Sequence, residues 1–362
     1  MPYKTALTFT YDCGEFEKGL DKALKLSDWS GFEARKKQSL QKGKLRGIGL
    51  ANAIERAAAP GMEYAEVRFD PSGTATLMVG TTSQGQGHET IYRQIAATRL
   101  GLDQANLRVV EGDSDAVAFG AGAFGSRSTA IGGTALWHAG DKVIAKGKRI
   151  AAHLLEAADA DIAFAAGRFS IAGTDRSLAW NDIARAAYGM APLPAGLEPG
   201  LVENASFSPV QETFPNGTHV CEVEVDPETG SVTPVSYVVV DDVGTEINPL
   251  TVHGQVVGGI VQGLGQILME QIIYDPESGQ LLTASFMDYA MPRAGDLCHF
   301  EVGHNPVPTK LNPLGAKGVG EAGCVGALAA AMNAIVDAIG TSDIDMPTTN
   351  ERVWRALHAK RA

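Results

Sequence analysis

The 362-residue chain has only four cysteines, Cys13, Cys221, Cys298 and Cys324, and no two of them form a CxxC pair. So few and so scattered, they exclude a disulfide-stapled secreted scaffold, and a reducing cytoplasm is the expected setting. The eight histidines form no HExxH motif and no Cys/His cluster, so the spacing of a metal site ligated by the protein itself is missing. Positive charge is scarce as well. Thirty Lys and Arg against 42 Asp and Glu give a formal net charge of −12, and with no basic run a nucleic-acid surface is excluded. The longest apolar window, 325–339, is too short and too broken for a bilayer span, so no integral membrane protein is expected. Residues 1–10, MPYKTALTFT, lack the apolar stretch of a signal peptide.

Glycine, in contrast, is abundant at 42 residues, without collagenous period or low complexity. It gathers around 80–87, 120–133, 254–265 and 315–326. Between these clusters the chain reads as hairpins followed by helices. EYAEVRFD and TATLMVG alternate around the turn 70–73, DPSG; the same Asp-Pro…Gly device recurs at 226–230 and 275–279. Pro presets φ in such turns and Gly accepts the positive φ, so three antiparallel hairpins are predicted. Helices are predicted at about 87–101, 129–158, 180–188, 250–268 and 321–340, with a charged helical stretch at 14–43 broken near Ser30-Gly31. This is an α+β pattern, in keeping with a duplication whose seam lies near 190–205. The expected division is an N-terminal helical segment, 1–43, then subdomains 44–195 and 196–362.

The cluster GTTSQGQGHET lies between a predicted strand and a predicted helix. Gly85 and Gly87 let a ligand approach the backbone, Gln84 and Gln86 offer amide donors and acceptors, and helix-start N–H groups favour anions. A tight polar turn explains the same residues structurally. In GAGAFGSRSTAIGGTA, the hydroxyls of Ser126, Ser128 and Thr129 either cap a helix or, with Arg127 as a fork, hold phosphate. In TVHGQVVGGIVQGLGQ, close helix packing accounts for most of the glycines, and Gln255 is the residue that points to a ligand. In GAKGVGEAG, Glu321 is either a cap residue favoured by the helix dipole or a carboxylate whose burial raises its pKa into the range of a working base.

Together, SQGQGHET, FGSRST, DDVGTEINPLTVHGQVVGGIVQGLGQ and GAKGVGEAG, in this order, resemble the C-terminal half of the molybdenum-binding subunit of the xanthine oxidase family. Within that family the aerobic carbon-monoxide dehydrogenase large-subunit group is the nearest likeness, and MPYKTALTFTYDCGEFEK and RGIGLANAIERAAAPGMEYAEVRFDPSGTAT share it. The resemblance implies two related subdomains with antiparallel or mixed sheets and packed helices. It implies that Gln84, Gly85, Gln86, Gly87 and His88 line a molybdopterin cofactor, in bacteria usually molybdopterin cytosine dinucleotide. Gly125, Ser126, Arg127, Ser128 and Thr129 would hold its phosphates and Gln255 would touch the pterin. Lys317, Gly318, Val319 and Gly320 fall in the same binding set. Glu321 matches the glutamate beside the molybdenum, which deprotonates a metal-bound hydroxyl or water or positions the substrate. The metal is held by the cofactor's dithiolene.

The family subunit is about twice as long, so the resemblance also implies partners: the missing N-terminal half, an iron–sulfur subunit carrying [2Fe-2S] and a flavin subunit carrying FAD. The substrate is a small molecule, hydroxylated at C–H, or carbon monoxide. A cofactor-binding or assembly module, inactive without its other half, is the alternative. An ordinary nucleotide-binding α/β domain is opposed by the antiparallel hairpins and the lack of a strand–GxGxxG–helix unit.

Overall fold

The computed structural model describes residues 1–58 and 61–359; Ala59 and Pro60, within one of the stretches quoted above, lie outside them. In chain order the elements are β1 (Tyr3–Lys4), β2 (Thr10–Tyr11), α1 (Phe16–Leu26), α2 (Phe32–Gln41), β3 (Leu45–Ile54), β4 (Glu63–Phe69), β5 (Ala75–Val79), α3 (His88–Leu100) and β6 (Leu107–Val110). There follow α4 (Thr134–Leu155), β7 (Ile162–Ala165), β8 (Arg168–Ile171), β9 (Ser177–Ala179), α5 (Trp180–Ala187), β10 (Val202–Phe207), β11 (Asn216–Val225) and β12 (Val232–Asp242). The last are α6 (Pro249–Leu268), β13 (Phe300–His304), α7 (Ala322–Ile339) and α8 (Asn350–His358).

Two compact units result, and the chain crosses between them repeatedly. Unit 1 comprises Met1–Arg56, Phe214–Pro308 and Val319–Ala362; unit 2 comprises Ala57–Thr213 and Thr309–Gly318. This differs from the continuous division 1–43, 44–195 and 196–362 expected above. The physical reason is strand pairing at long range: β3 joins β11 in antiparallel register from Leu45↔Val225 to Ile54↔Asn216, which draws the N-terminal helices into unit 1.

The units repeat one theme. In unit 2 the sheet order is β10-β4-β5-β6, and in unit 1 it is β13-β12-β11-β3. Each has an antiparallel hairpin, β4–β5 or β11–β12. After the hairpin comes a helix, α3 or α6, and then a strand parallel to the hairpin's second strand, β6 or β13. A second long helix, α4 or α7, follows. The expected α+β class with mixed sheets and packed helices is what the chain adopts.

Local chemistry explains two of the three predicted hairpins. Asp70 accepts the Ser72 amide at 2.7 Å, and Asp226 accepts that of Glu228 at 2.9 Å, closing the turns before β5 and β12. The third turn also closes, with Asp275 accepting from Glu277 at 2.9 Å. Its flanks, however, pair only at the single bridge Tyr274↔Leu281. Among the described residues no neighbouring strand supports them, and an isolated two-stranded ribbon is marginal in water.

In unit 1, Val252, Val256, Ile260, Leu264 and Ile267 form the buried stripe of α6, each contributing about 1.5–3 kcal/mol relative to exposure. The glycines of α6 and α7 permit close approach: a Cβ at Gly323 would lie 2.1 Å from the Val256 carbonyl oxygen, and one at Gly263 would lie 2.7 Å from the Ala327 Cβ. Helix α7 corrects the reading of 325–339, because by length and composition alone it could cross a membrane. Its apolar face instead packs on β3, β11 and α6. In unit 2, Phe69 stacks on Trp180 at 4.4 Å between centroids, and Trp180 Nε1 donates to the Leu100 carbonyl at 2.7 Å.

Candidate cofactor-binding site

Strands β5 and β6 run parallel, from Ala75↔Leu107 to Met78↔Val110, with α3 between them in sequence. Their C-terminal ends therefore release two loops, 80–87 and 111–127, on one edge of the sheet, the edge where open α/β sheets receive ligands. The first loop ends at Gly87, with φ 86°, and α3 starts at His88, so the helix's first-turn N–H groups face that edge.

Inside the first loop, Gln86 is held by its neighbours. Its Oε1 accepts from the Gln84 amide at 2.6 Å and its Nε2 donates to Gln84 Oε1 at 2.7 Å. Gln84 and Gly85 are exposed, whereas Gln86 and Gly87 are half-buried. Gly85 sits at φ 99° with nothing within 4 Å of where its Cβ would be. His88 turns inward. It is buried, and its Nδ1 lies 2.9 Å from Glu111 Oε2, at the end of β6. Glu111 also accepts from Thr81 Oγ1 at 2.9 Å, Thr81 meets the Tyr92 hydroxyl at 2.8 Å, and Tyr92 reaches the Ser128 carbonyl at 3.2 Å. Burial pushes the Tyr92 phenol well up, so it stays protonated as a donor. This chain of bonds ties the first loop to the start of the Ser128 turn.

The second loop is fastened by a buried ion pair. Arg127 Nη1 donates to Glu63 Oε2 at 2.6 Å, with both side chains almost wholly buried. Arg127 Nη1 also donates to the Gly122 carbonyl at 3.2 Å and Nη2 to that of Met62 at 3.0 Å. The guanidinium expected to fork onto phosphate is therefore engaged inside the fold. That expectation is corrected for the side chain: a buried arginine holds its charge-compensating carboxylate rather than offering itself to a ligand.

The backbone there has another use. Gly125 and Ser126 have left-handed φ, 56° and 51°, and Arg127 returns to the right-handed region at φ −101°, ψ −18°. Left-handed then right-handed residues turn successive N–H groups into a concavity suited to an anion. Among the described residues, Gly125, like Gly85, has nothing within 4 Å of its Cβ position. A π-helical turn, Ser128–Gly133, then leads into α4. Ser128 and Thr129 are half-buried, and so is Ser126.

Unit 2 also brings the first part of the fourth motif here. A Cβ on Gly318 would lie 2.3 Å from the Ser126 carbonyl oxygen, and Lys317 is buried beside it in sequence. The other predicted residues belong to unit 1. Glu321 is the N-cap residue of α7, its side chain makes no capping bond, and it is exposed. The burial expected to make it a working base is not supplied by its own unit. Gln255 is half-buried on α6, next to Val256, whose carbonyl packs on Gly323; the second turn of α6 thus adjoins the first turn of α7. Val319 is half-buried and Gly320 exposed. Sequence reasoning missed Glu63, Thr81, Tyr92 and Glu111. Only Glu111 carried a local signal, an acidic residue ending the alternating run LRVV.

Residues 22–298 match the profile described as molybdopterin cofactor-binding domain. The chain belongs to this family. It is 37% identical over 375 residues to the carbon monoxide dehydrogenase large chain of Hydrogenophaga pseudoflava, covering 99% of this chain and 46% of that one. It is 35% identical to the nicotine 6-hydroxylase large subunit of Paenarthrobacter nicotinovorans, covering 98% and 46%. Among solved structures, quinoline 2-oxidoreductase of Pseudomonas putida 86 superposes with TM-score 0.91 at 32% identity, over 100% of this chain and 48% of that one. The chain thus spans about half the length of the curated relatives it matches. The expected kinship with molybdenum-binding subunits of the xanthine oxidase family is borne out.

Proposed function

We propose that this chain forms one half of the catalytic subunit of a molybdenum hydroxylase, the half that cradles the cofactor's phosphates and supplies the active-site carboxylate. One observation carries the reading: two loops at the same sheet edge each contain a left-handed glycine, Gly85 and Gly125, with open space where a side chain would stand. A phosphorylated pterin fits that chemistry. The backbone of Gly125, Ser126 and Arg127, with the hydroxyls of Ser128 and Thr129, would hold the phosphates; Gln84, Gly85, Gln86 and Gly87 would line the pterin or its nucleotide, taken here as cytosine dinucleotide. His88 acts as a positioning residue, bonded to Glu111. Gln255 would touch the pterin, and Lys317, Gly318, Val319 and Gly320 would belong to the same binding set.

When bound, the cofactor supplies molybdenum for the two-electron oxidation of a small C–H substrate or of carbon monoxide. The chain's own part is proton handling and orientation. Glu321 takes up a proton at its carboxylate and directs the substrate; it lies three residues along the chain from Gly318, which packs on Ser126. Its exposure means that water must be excluded by a partner, the other half of the subunit. Electrons leave to [2Fe-2S] and flavin groups on partner chains, in a cytoplasmic hetero-oligomer.

The exposure of Glu321 also favours a second reading, in which the chain alone is a cofactor-binding module without turnover. The test is to purify the chain with and without its completing half, measuring pterin by the fluorescence of its oxidised form and nucleotide by acid hydrolysis. Gly125→Ala should lower stability by about 1–2 kcal/mol, the usual cost of a left-handed non-glycine residue, yet strip most of the pterin. Glu321→Gln should keep the pterin and abolish turnover in the completed enzyme. Pterin content indifferent to Gly125→Ala would refute the phosphate cradle; turnover by the chain alone would refute the module reading.

A further inference from the structure

In unit 1, segment 270–293 follows α6. Its backbone is ordered by its own bonds: the Gly279 amide donates to the Asp275 carbonyl at 2.9 Å, the Leu282 amide to that of Ile273 at 2.8 Å, and the Tyr289 hydroxyl to Glu270 Oε2 at 2.6 Å. Despite this order, Ile272, Tyr274, Leu282, Phe286, Met287 and Met291 are all exposed, Phe286 to 83% and Met287 to 92%. At the area typical of large side chains, these six leave about 750 Å² of mainly apolar surface open. That total approaches one side of a standard interface, about 800 Å².

We propose that segment 270–293 is the docking face for the polypeptide that completes the molybdenum subunit. The inference rests on the function proposed above, and two observations choose this occupant. First, the same fold makes up only 48% of the solved quinoline 2-oxidoreductase chain, so about as much polypeptide again accompanies it there. Second, the segment carries four carboxylates, Glu270, Asp275, Glu277 and Asp288, against one cation, Arg293. A second copy of this acidic chain would set like charges together, whereas a partner with a basic rim is complementary.

The experiment co-expresses the full chain with the part of the Hydrogenophaga pseudoflava large chain that it does not match. Light scattering and hydrogen exchange are the readouts. A one-to-one complex with new protection in 270–293 is expected, weakened by salt. Phe286→Ser/Met287→Ser should weaken it about 30-fold or more, as loss of interface anchors does, while the chain's melting temperature and pterin content stay unchanged. The proposal is overturned by unaltered binding of that variant, by no complex with the unmodified chain, or by a homodimer of the chain alone protected at 270–293. A pterin-free chain that still binds through these residues would sink the cofactor reading and leave the docking face standing.

Discussion

Breaking the Glu63–Arg127 pair separates a structural arginine from a ligand-binding one. Both side chains are buried, and Nη1 lies 2.6 Å from Oε2. Glu63→Gln leaves an acceptor for the amides of Tyr64 and Ala121, which donate to Glu63 Oε1 at 3.2 and 3.3 Å. It also leaves the guanidinium buried without a counter-charge. Arg127→Met leaves a buried carboxylate and frees the carbonyls of Met62 and Gly122. Either single change should therefore destabilise by about 3–5 kcal/mol, the cost of orphaning one partner of a buried pair. That is a large fraction of a typical total of about 5–15 kcal/mol.

The double variant, Glu63→Gln/Arg127→Met, leaves no uncompensated charge, so its cost should fall short of the sum by a few kcal/mol. Urea denaturation of the four proteins at pH 7, followed by circular dichroism, gives the coupling directly. Arg127→Lys should rescue poorly, because a point charge cannot span Glu63 and two carbonyls as the planar fork does. Additive single effects would refute the pairing as the main role. A cost below about 1 kcal/mol for Arg127→Met, together with complete loss of pterin, would return Arg127 to the phosphate site.

Asp241 in unit 1 is buried, and burial, followed by the neighbouring charge of Asp242, pushes its carboxyl up to about 7; burial pushes the facing His219 down to about 3. The folded state thus takes up a proton at Asp241, so this group's contribution is complete below about pH 4 and is lost as pH rises through 7. His219 acts in the opposite sense, its contribution being lost as pH falls below about 6.5, so Asp241→Asn should tilt the profile towards greater stability at pH 8 and gain a few kcal/mol there on the unmodified chain; denaturation at pH 5 and pH 8 checks it, and an unchanged difference between the two counts against it. Gly318→Ala, whose Cβ would sit 2.3 Å from the Ser126 carbonyl oxygen, should cost about 1–3 kcal/mol by overpacking, with or without cofactor; a melting temperature unmoved by the change would disprove the contact.

How far the fold could be read ahead depended on the range of the determining contact. The hairpins β4–β5 and β11–β12 were legible because Asp-Pro…Gly chemistry acts within five residues. The third turn closed for the same reason, but its strands did not form, because that needs a neighbouring strand the local sequence cannot reveal. Strand β3 escaped notice: its Gly47 interrupts the alternation of LRGIGLANAI, and the cause lies in α7, where a Cβ on Gly47 would meet the Ala334 carbonyl oxygen at 2.0 Å. Arg127 was misread for a similar reason, since its partner Glu63 is 64 positions away.

The candidate site was legible as a set of glycines but not as a set of roles, because glycine answers two opposite demands. Gly318 and Gly323 lack a side chain because backbone from elsewhere already fills its place; Gly85 and Gly125 lack one where no other described residue does. Sequence alone gives both kinds the same letter. The distinction matters for energetics, since a Cβ at a filled position strains the chain whether or not a ligand is bound. At an open position it leaves only a backbone penalty, until something large must enter. At this site Gly318 should therefore govern stability, and Gly85 and Gly125 should govern occupancy.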